Sequence, residues 1–206
     1  MNMQKMGKLC KENRSMRLYR KGNTQYISDG ITTVEIPRNF PAMNDENEAA
    51  AVFGWTDKQL EEISCAVEDL DIFTDMYEAT GISMEDVTGD EIPCKKAPIG
   101  FTYGGMHLLV LQDDQGRIGT IDVMQMEPIA DELKNGQYMM WSRRTMPDGK
   151  PYYVLKNGMY LRIAVLPVVL FDEFTQALDE IRAGLALEEK AQKWRNEKEQ
   201  AKESED

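Results

Sequence analysis

The chain has 206 residues, 42% of them hydrophobic and 29% charged, with a net charge of −12. That balance is ordinary for a globular chain, not a disordered one, and the length fits one good-sized domain with an appendage. The negative charge argues against broad binding to DNA or anionic membrane, and no apolar run approaches the roughly twenty residues needed to span a bilayer.

Residues 1–22 carry seven bases (Lys5, Lys8, Lys11, Arg14, Arg17, Arg20 and Lys21) against one acid, Glu12, a net of +6. They begin with charge but no apolar h-region, so no signal peptide is expected. Short strands are predicted at 16–21, 24–28 and 31–36, because Gly22-Asn23 and Asp29-Gly30 tolerate the positive φ of tight hairpins. Pro37 and Pro41 close this first meander.

A short helix is predicted around 46–53, and a longer one after it. Thr56 with Gln59 forms a capping box, and Trp55 and Leu60 are placed as a hydrophobic staple. Leu60, Ile63, Val67 and Leu70 then recur at spacings of 3, 4 and 3, a stripe that predicts an acidic amphipathic helix lying on the sheet. Residues 44–98 hold fifteen acids against Lys58, Lys95 and Lys96, a net of −12. Within them 71–98 contains Gly81, Gly89, Pro93 and Pro98 and reads as a loop-rich acidic insertion, with one helical turn near 74–79.

The second strand cluster is predicted at 106–112, 117–124, 137–144, 151–156 and 159–166. Asp113-Asp114-Gln115-Gly116, Asp148-Gly149 and Asn157-Gly158 serve as turns, and Pro167 closes the cluster. From 172 a C-terminal helix of about thirty residues is predicted on the stripe Phe174, Leu178, Ile181 and Leu185. The stripe fails after Leu187, so 188–206 reads as a polar, fraying helix or a partner-binding arm. The expected fold is α+β: a curved antiparallel sheet of two meanders carrying the acidic helix, a single domain over 1–171, and a C-terminal helix over 172–206.

Candidate chemistry is sparse. His107, the one histidine, lies in an apolar strand and reads as a hydrogen-bonded strand residue more readily than as a general base. Cys10, Cys65 and Cys94 are odd in number and far apart, which fits reduced thiols in the cytoplasm and argues against a disulfide framework or a His/Cys zinc site. Asp71, Asp75 and Glu78 would share a helical face and could hold magnesium or calcium, though no calcium-loop pattern accompanies them. The glycine-rich Ile99-Gly100-Phe101-Thr102-Tyr103-Gly104-Gly105 precedes a strand and has no following lysine, so it reads as a turn, not a phosphate loop. Ser28-Asp29, Ser64-Cys65 and Ser142-Arg143-Arg144 lack the glycines of a nucleophile elbow. Arg14, Arg17, Arg20 and Lys21, interleaved with Tyr19 and Tyr26, form a candidate nucleic-acid contact that Arg143 and Arg144 beside Trp141 could extend; a charged edge strand is the competing reading. Methionines in the strands read as core, with a malleable binding surface as the lesser alternative.

The order strand, hairpin, strand, Glu127-Pro128, short helix, then three strands ending Ala164-Val165-Leu166-Pro167-Val168-Val169-Leu170, resembles one domain of a bacterial DNA sliding clamp. Tyr26-Ile27-Ser28-Asp29-Gly30 resembles the strand and Asp-Gly turn of such domains. The resemblance covers about half the chain and implies a clamp-like α+β module associated with DNA handling, of the kind found in accessory proteins of phages or mobile elements. Clamp subunits have three domains and basic helices lining a channel. This chain has room for one domain and its best predicted helix is acidic, so no clamp site residue is carried over.

The functional expectation is a cytoplasmic, non-enzymatic binding or adaptor protein, with no cofactor, metal or membrane partner. Its acidic belt (Glu61, Glu62, Glu68, Asp69, Asp71 and Asp75) would meet the basic surface of a DNA-handling protein, because segregated charge steers encounter. The alternatives are an acidic nucleic-acid mimic that inhibits a nuclease or DNA-binding protein, a carboxylate metal enzyme, and direct nucleic-acid contact through the N-terminal bases.

Overall fold

Asn2 caps a helix, α1 (Met3–Glu12), by accepting a hydrogen bond from the Lys5 backbone N–H at 3.1 Å. Met3, Met6, Leu9 and Cys10 form its buried stripe, while Lys8, Lys11 and Glu12 stay in solvent. The computed structural model describes residues 1–71, 76–136 and 138–171, with positions 174, 176, 180, 183, 187, 190, 191 and 193–195 beyond them.

Ten strands follow: β1 (Ser15–Lys21), β2 (Thr24–Ser28), β3 (Thr32–Glu35), β4 (Ser64–Leu70), β5 (Ile92–Tyr103), β6 (Met106–Asp113), β7 (Ile118–Asp122), β8 (Met139–Thr145), β9 (Pro151–Asn157) and β10 (Tyr160–Val165). They form one sheet in the order β4-β1-β2-β3-β10-β9-β8-β5-β6-β7. The α+β class and a single, mostly antiparallel sheet hold, but the strand order does not resolve into two meanders, since β3 pairs with β10 and β5 stands between β8 and β6. The sheet is also mixed, since β4 runs parallel to β1.

The long acidic helix predicted from Thr56 is replaced by a turn and a strand. The capping box is present, with Thr56 Oγ1 accepting from Gln59 N and Gln59 Oε1 from Thr56 N, but α3 (Asp57–Glu61) ends after five residues. Ser64–Leu70 then lies in register with β1, Leu18 opposite Val67 and Arg20 opposite Asp69. Val67 suits a pleat as well as a helix, and a seven-residue ladder with the basic strand outweighs the weak 3-4-3 stripe. The insertion is also more ordered than its prolines imply. β5 absorbs Pro98 in an irregularity between Lys96 and Gly100, where its register with β6 shifts.

α2 (Glu46–Phe53), the helix predicted at 46–53, α1 and the 3₁₀ segment Val123–Ile129 cover one face of the sheet. The main core there holds Met6, Met16, Leu18, Ile27, Leu111, Ile121, Leu155 and Ile163. A Cβ on Gly7 would fall 2.6 Å from the Phe53 ring, so α1 can meet α2 this closely only because residue 7 has no side chain. The opposite face carries a smaller cluster, Tyr19, Met76, Ile82, Met84, Tyr152, Val154, Leu161 and Ala164, under the segment that contains α4 (Met76–Thr80). α5 (Ala130–Asn135) follows the 3₁₀ segment.

Gly119 on β7 is a second position where the packing forbids a side chain. A Cβ there would lie 1.9 Å from Tyr153 Oη and 2.2 Å from Cζ, in the main core. Gly119→Ala is expected to cost about 1–3 kcal/mol in urea unfolding. Tyr153→Phe in the same chain should recover little of that loss, since the ring carbons at 2.2 and 2.6 Å remain.

The chain divides into two units, Met1–Val168 and Val169–Asp206. In the second unit the described positions from Phe174 to Arg195 are helical, and Phe174 N donates to Phe171 O at 3.0 Å. The predicted packing stripe beyond Phe174, at Leu178, Ile181 and Leu185, and the fraying of 188–206 lie outside or mostly outside the described residues. No helix among the described residues is long and apolar enough to cross a membrane.

Candidate interaction surface

The two opposed charge blocks of the sequence are neighbours in the structure. β1 carries Arg17 and Arg20, β4 carries Glu68 and Asp69, and the parallel ladder sets them side by side. Alternation sends Arg20 and Asp69 to the face of the main core, where the guanidinium donates from Nε and Nη2 to the two carboxylate oxygens at 2.5 Å each. Nη1 of Arg20 donates to Asn44 Oδ1 at 3.0 Å, and Asn44 in turn donates to Glu48. On the other face Arg17 meets Glu68 at 3.5 Å. Hydrogen bonds from Arg20 hold the Asp69 carboxyl below its ordinary value, and the same bonds raise the Arg20 guanidinium. These pairs fix the register of β4 more than they add stability, because both are solvent-exposed.

The predicted sites therefore divide. Of the candidate nucleic-acid contacts, Arg17 and Arg20 are paired with acids, Arg14 is an exposed residue with φ of 50° at the end of α1, and Lys21 closes β1 opposite Leu70. Of the acidic belt, Glu61 and Glu62 are exposed at the end of α3, Glu68 and Asp69 lie on β4, and Asp71 follows it, exposed. Asp75 lies outside the described residues, and with it the Asp71, Asp75, Glu78 metal reading. Among the described residues no group of three or more His, Cys, Asp or Glu side chains is placed to hold a metal ion.

The belt gains members that sequence reasoning did not single out. From 44 to 71 there are nine acids (45, 46, 48, 57, 61, 62, 68, 69 and 71) against Lys58, a net of −8. Six sit on α2, α3 and β4 and three, Asp45, Glu62 and Asp71, directly beside them, and β4 is a terminal strand of the sheet. Glu46 is close enough to Cys65 to join burial in pushing its thiol up. The segments that flank this edge thus carry most of its negative charge. A groove of about 370 Å³, lined by Arg20, Arg38, Phe40, Asn44, Asp69 and Leu70, opens beside its end.

Part of the second half of the acidic run is tied into the fold, with Glu91 ion-paired from within. Arg144, read in the sequence as an extension of a nucleic-acid face, is fully buried at 0% exposure. Its guanidinium donates to the backbone carbonyls of Ser83 (3.2 Å), Glu85 (2.9 Å) and Asp86 (3.3 Å) and to Glu91 Oε2 (2.9 Å). Lys156 pairs with the other Glu91 oxygen and donates to Asp86 O. Asp86 accepts from Leu161 N at 2.6 Å and Asp90 from Thr145 N at 2.9 Å. Burial opposes ionisation of Glu91, but hydrogen bonds from Lys156, Arg144 and Ser142 outweigh it and hold its carboxyl below the ordinary value. Trp141, on the other side of β8 from Arg144, packs against the main core.

Other candidates resolve into structure. His107 Nδ1 shares a 3.0 Å hydrogen bond with Thr102 Oγ1 across the β5–β6 hairpin. Gly104 and Gly105 form its turn, both at positive φ. Burial pushes the Cys10 thiol up strongly and that of Cys94 to about 11, so neither behaves as a thiolate near neutrality. Asp29 is a buried turn residue whose carboxylate accepts from Ile31 N, Thr32 N and Asn13 Nδ2. The methionines split: Met139 packs on the core, whereas Met140 and Met159, with Tyr138 and Tyr160, are 52–73% exposed around the β9–β10 hairpin. No family model, curated protein or solved structure matches the chain.

Proposed function

We propose that the chain is a non-enzymatic binding or adaptor protein whose acidic sheet edge engages the basic surface of a protein partner. The observation that carries this reading is the collection of nine acids and one lysine on and directly beside α2, α3 and β4, of which Glu68 and Asp69 are offset by Arg17 and Arg20. A surface of one sign attracts an opposite one and rejects its like. The partner class we favour, a DNA-handling protein, comes from the sequence resemblance of this chain to a sliding-clamp domain alone, and a role beside a phage or mobile-element machinery belongs to the same reading.

The test is affinity capture from a lysate of the source organism with nuclease present, comparing wild type with the variant Glu46→Gln/Asp57→Asn/Glu61→Gln/Glu62→Gln. A basic, DNA-handling protein should be retained by wild type, and the variant should bind it about tenfold more weakly with a flatter salt dependence. Equal recovery by both chains would overturn the reading. If duplex DNA displaces the captured protein, the edge acts as a nucleic-acid mimic and the chain is an inhibitor.

A further inference from the structure

The two ends of the sheet are finished differently. At β7 the chain returns and covers the edge: Val168 N donates to Thr120 O at 2.8 Å, and Thr120 Oγ1 donates to Val168 O at 3.0 Å. At β4 nothing comparable happens among the described residues. Ser64 N donates inward to Arg14 O at 3.0 Å, and the register with β1 carries the same orientation to Ala66, Glu68 and Leu70. The N–H and C=O groups of Cys65, Val67 and Asp69 therefore point away from the sheet, and no backbone hydrogen bond from a described residue reaches them.

An open edge is a template for another strand, and charge decides which strand can use it. A second copy of the chain would bring its own acids of 44–71, net −8, to the same edge, and like charge disfavours self-pairing. A basic strand meets the reverse situation. Asp69 on one face and Glu68 on the other are each paired with an arginine of β1, so the net negative charge at this edge comes from the acids of α2 and α3, with Glu46 near Cys65. We propose that β4 receives an extended, Lys/Arg-rich segment of the partner as an eleventh strand, paired through the outward backbone groups of Cys65, Val67 and Asp69. This rests on the binding function proposed above and adds how the partner is held: backbone pairing supplies affinity, and the acids select for basic sequence.

The experiment uses the full chain, isotopically labelled for amide exchange, and two synthetic peptides. One is acetyl-Lys-Val-Lys-Val-Lys-Val-Lys-amide; the other has the same sequence with every interior amide N-methylated, which keeps the charge and removes the N–H groups needed for pairing. In the free protein the amides of Cys65, Val67 and Asp69 should exchange faster than those of Ala66 and Glu68. The unmodified peptide should slow the three outward amides, and the methylated twin should bind at least about tenfold more weakly, the loss expected for several missing backbone hydrogen bonds. Equal, salt-sensitive binding of both peptides without amide protection would overturn strand addition and leave the acidic-surface reading standing. Protection of the three amides in the free protein would also overturn it, by showing the edge already occupied. Binding of neither peptide would do the same, and the capture experiment with the four-site variant then decides the acidic-surface reading separately.

Discussion

Arg144→Met is expected to lower the unfolding free energy by about 3–5 kcal/mol, the usual consequence of removing one member of a buried charge network. The methionine fills much of the volume but donates nothing. The carbonyls of Ser83 and Glu85 lose the guanidinium donor, that of Asp86 keeps only Lys156, and Glu91 is left with Lys156 and Ser142. Urea unfolding near neutral pH measures the loss, and faster proteolysis within 81–91 should accompany it, because this segment is fastened to β8 and β9 by these contacts. A cost below about 1 kcal/mol would mean that the network is not what holds the segment. The pH dependence has a defined sign. Since the folded state holds the Glu91 carboxyl below its ordinary value, its contribution is complete above the ordinary carboxylate range and is lost as pH falls through the lowered value. Glu91→Gln should therefore be less stable than wild type near neutrality, with the gap closing in acid.

Asp29 predicts the opposite slope. It is 1% exposed, and no described cation forms an ion pair with it; neutral donors alone satisfy its carboxylate. Burial raises its carboxyl above the ordinary value, against the pull of hydrogen bonds from Thr32, Ile31 and Asn13. The ionised form is thus disfavoured in the folded chain, and stability falls as pH rises from below the ordinary carboxylate range through the raised value. Asp29→Asn keeps an oxygen for the two backbone donors, and Asn13 can turn its amide over to face the new one. This variant should match or exceed wild type at neutral pH, with the difference shrinking in acid. Asp29→Ala removes the acceptor from Ile31 N, Thr32 N and Asn13 Nδ2 together and should cost about 2–4 kcal/mol. If Asn is as damaging as Ala, the carboxylate charge itself is needed and the burial argument fails.

What the sequence made legible follows from how local each signal is. Eight of the ten strands were placed within a few residues, because Asp-Gly, Asn-Gly and Gly-Asn turns act on adjacent residues. The two missed strands, β4 and β5, owe their form to distant partners. β4 is a strand because β1 lies beside it, about fifty residues away in sequence, and its own stripe is compatible with a helix. β5 contains prolines that local rules treat as breakers, and only its register with β6 and β8 shows where they fit. α1 is absent from the predicted elements although its signal is local: Met3, Met6 and Leu9 behind Asn2 are a helical stripe with a cap. The candidate surface shows the same limit. Composition shows that the acids are many, whereas which of them meet a cation depends on Arg17, Arg20, Arg144 and Lys156, none of which is near its partner in the chain.

The parallel pairing of β4 has a consequence for the order in which the sheet is assembled. β1, β2 and β3 can form from neighbouring residues with short turns, while β4 must close a loop of about fifty residues to find β1, so its loop entropy is the larger. A strand added last to an edge is also the strand that local opening releases first. When β4 is away, the exposed border of the sheet is β1, with Arg17, Arg20 and Lys21 freed of their neighbours. Undocking these seven residues uncovers three bases on the sheet border and carries two acids away from it, so the charge that the border shows its surroundings depends on whether β4 is docked.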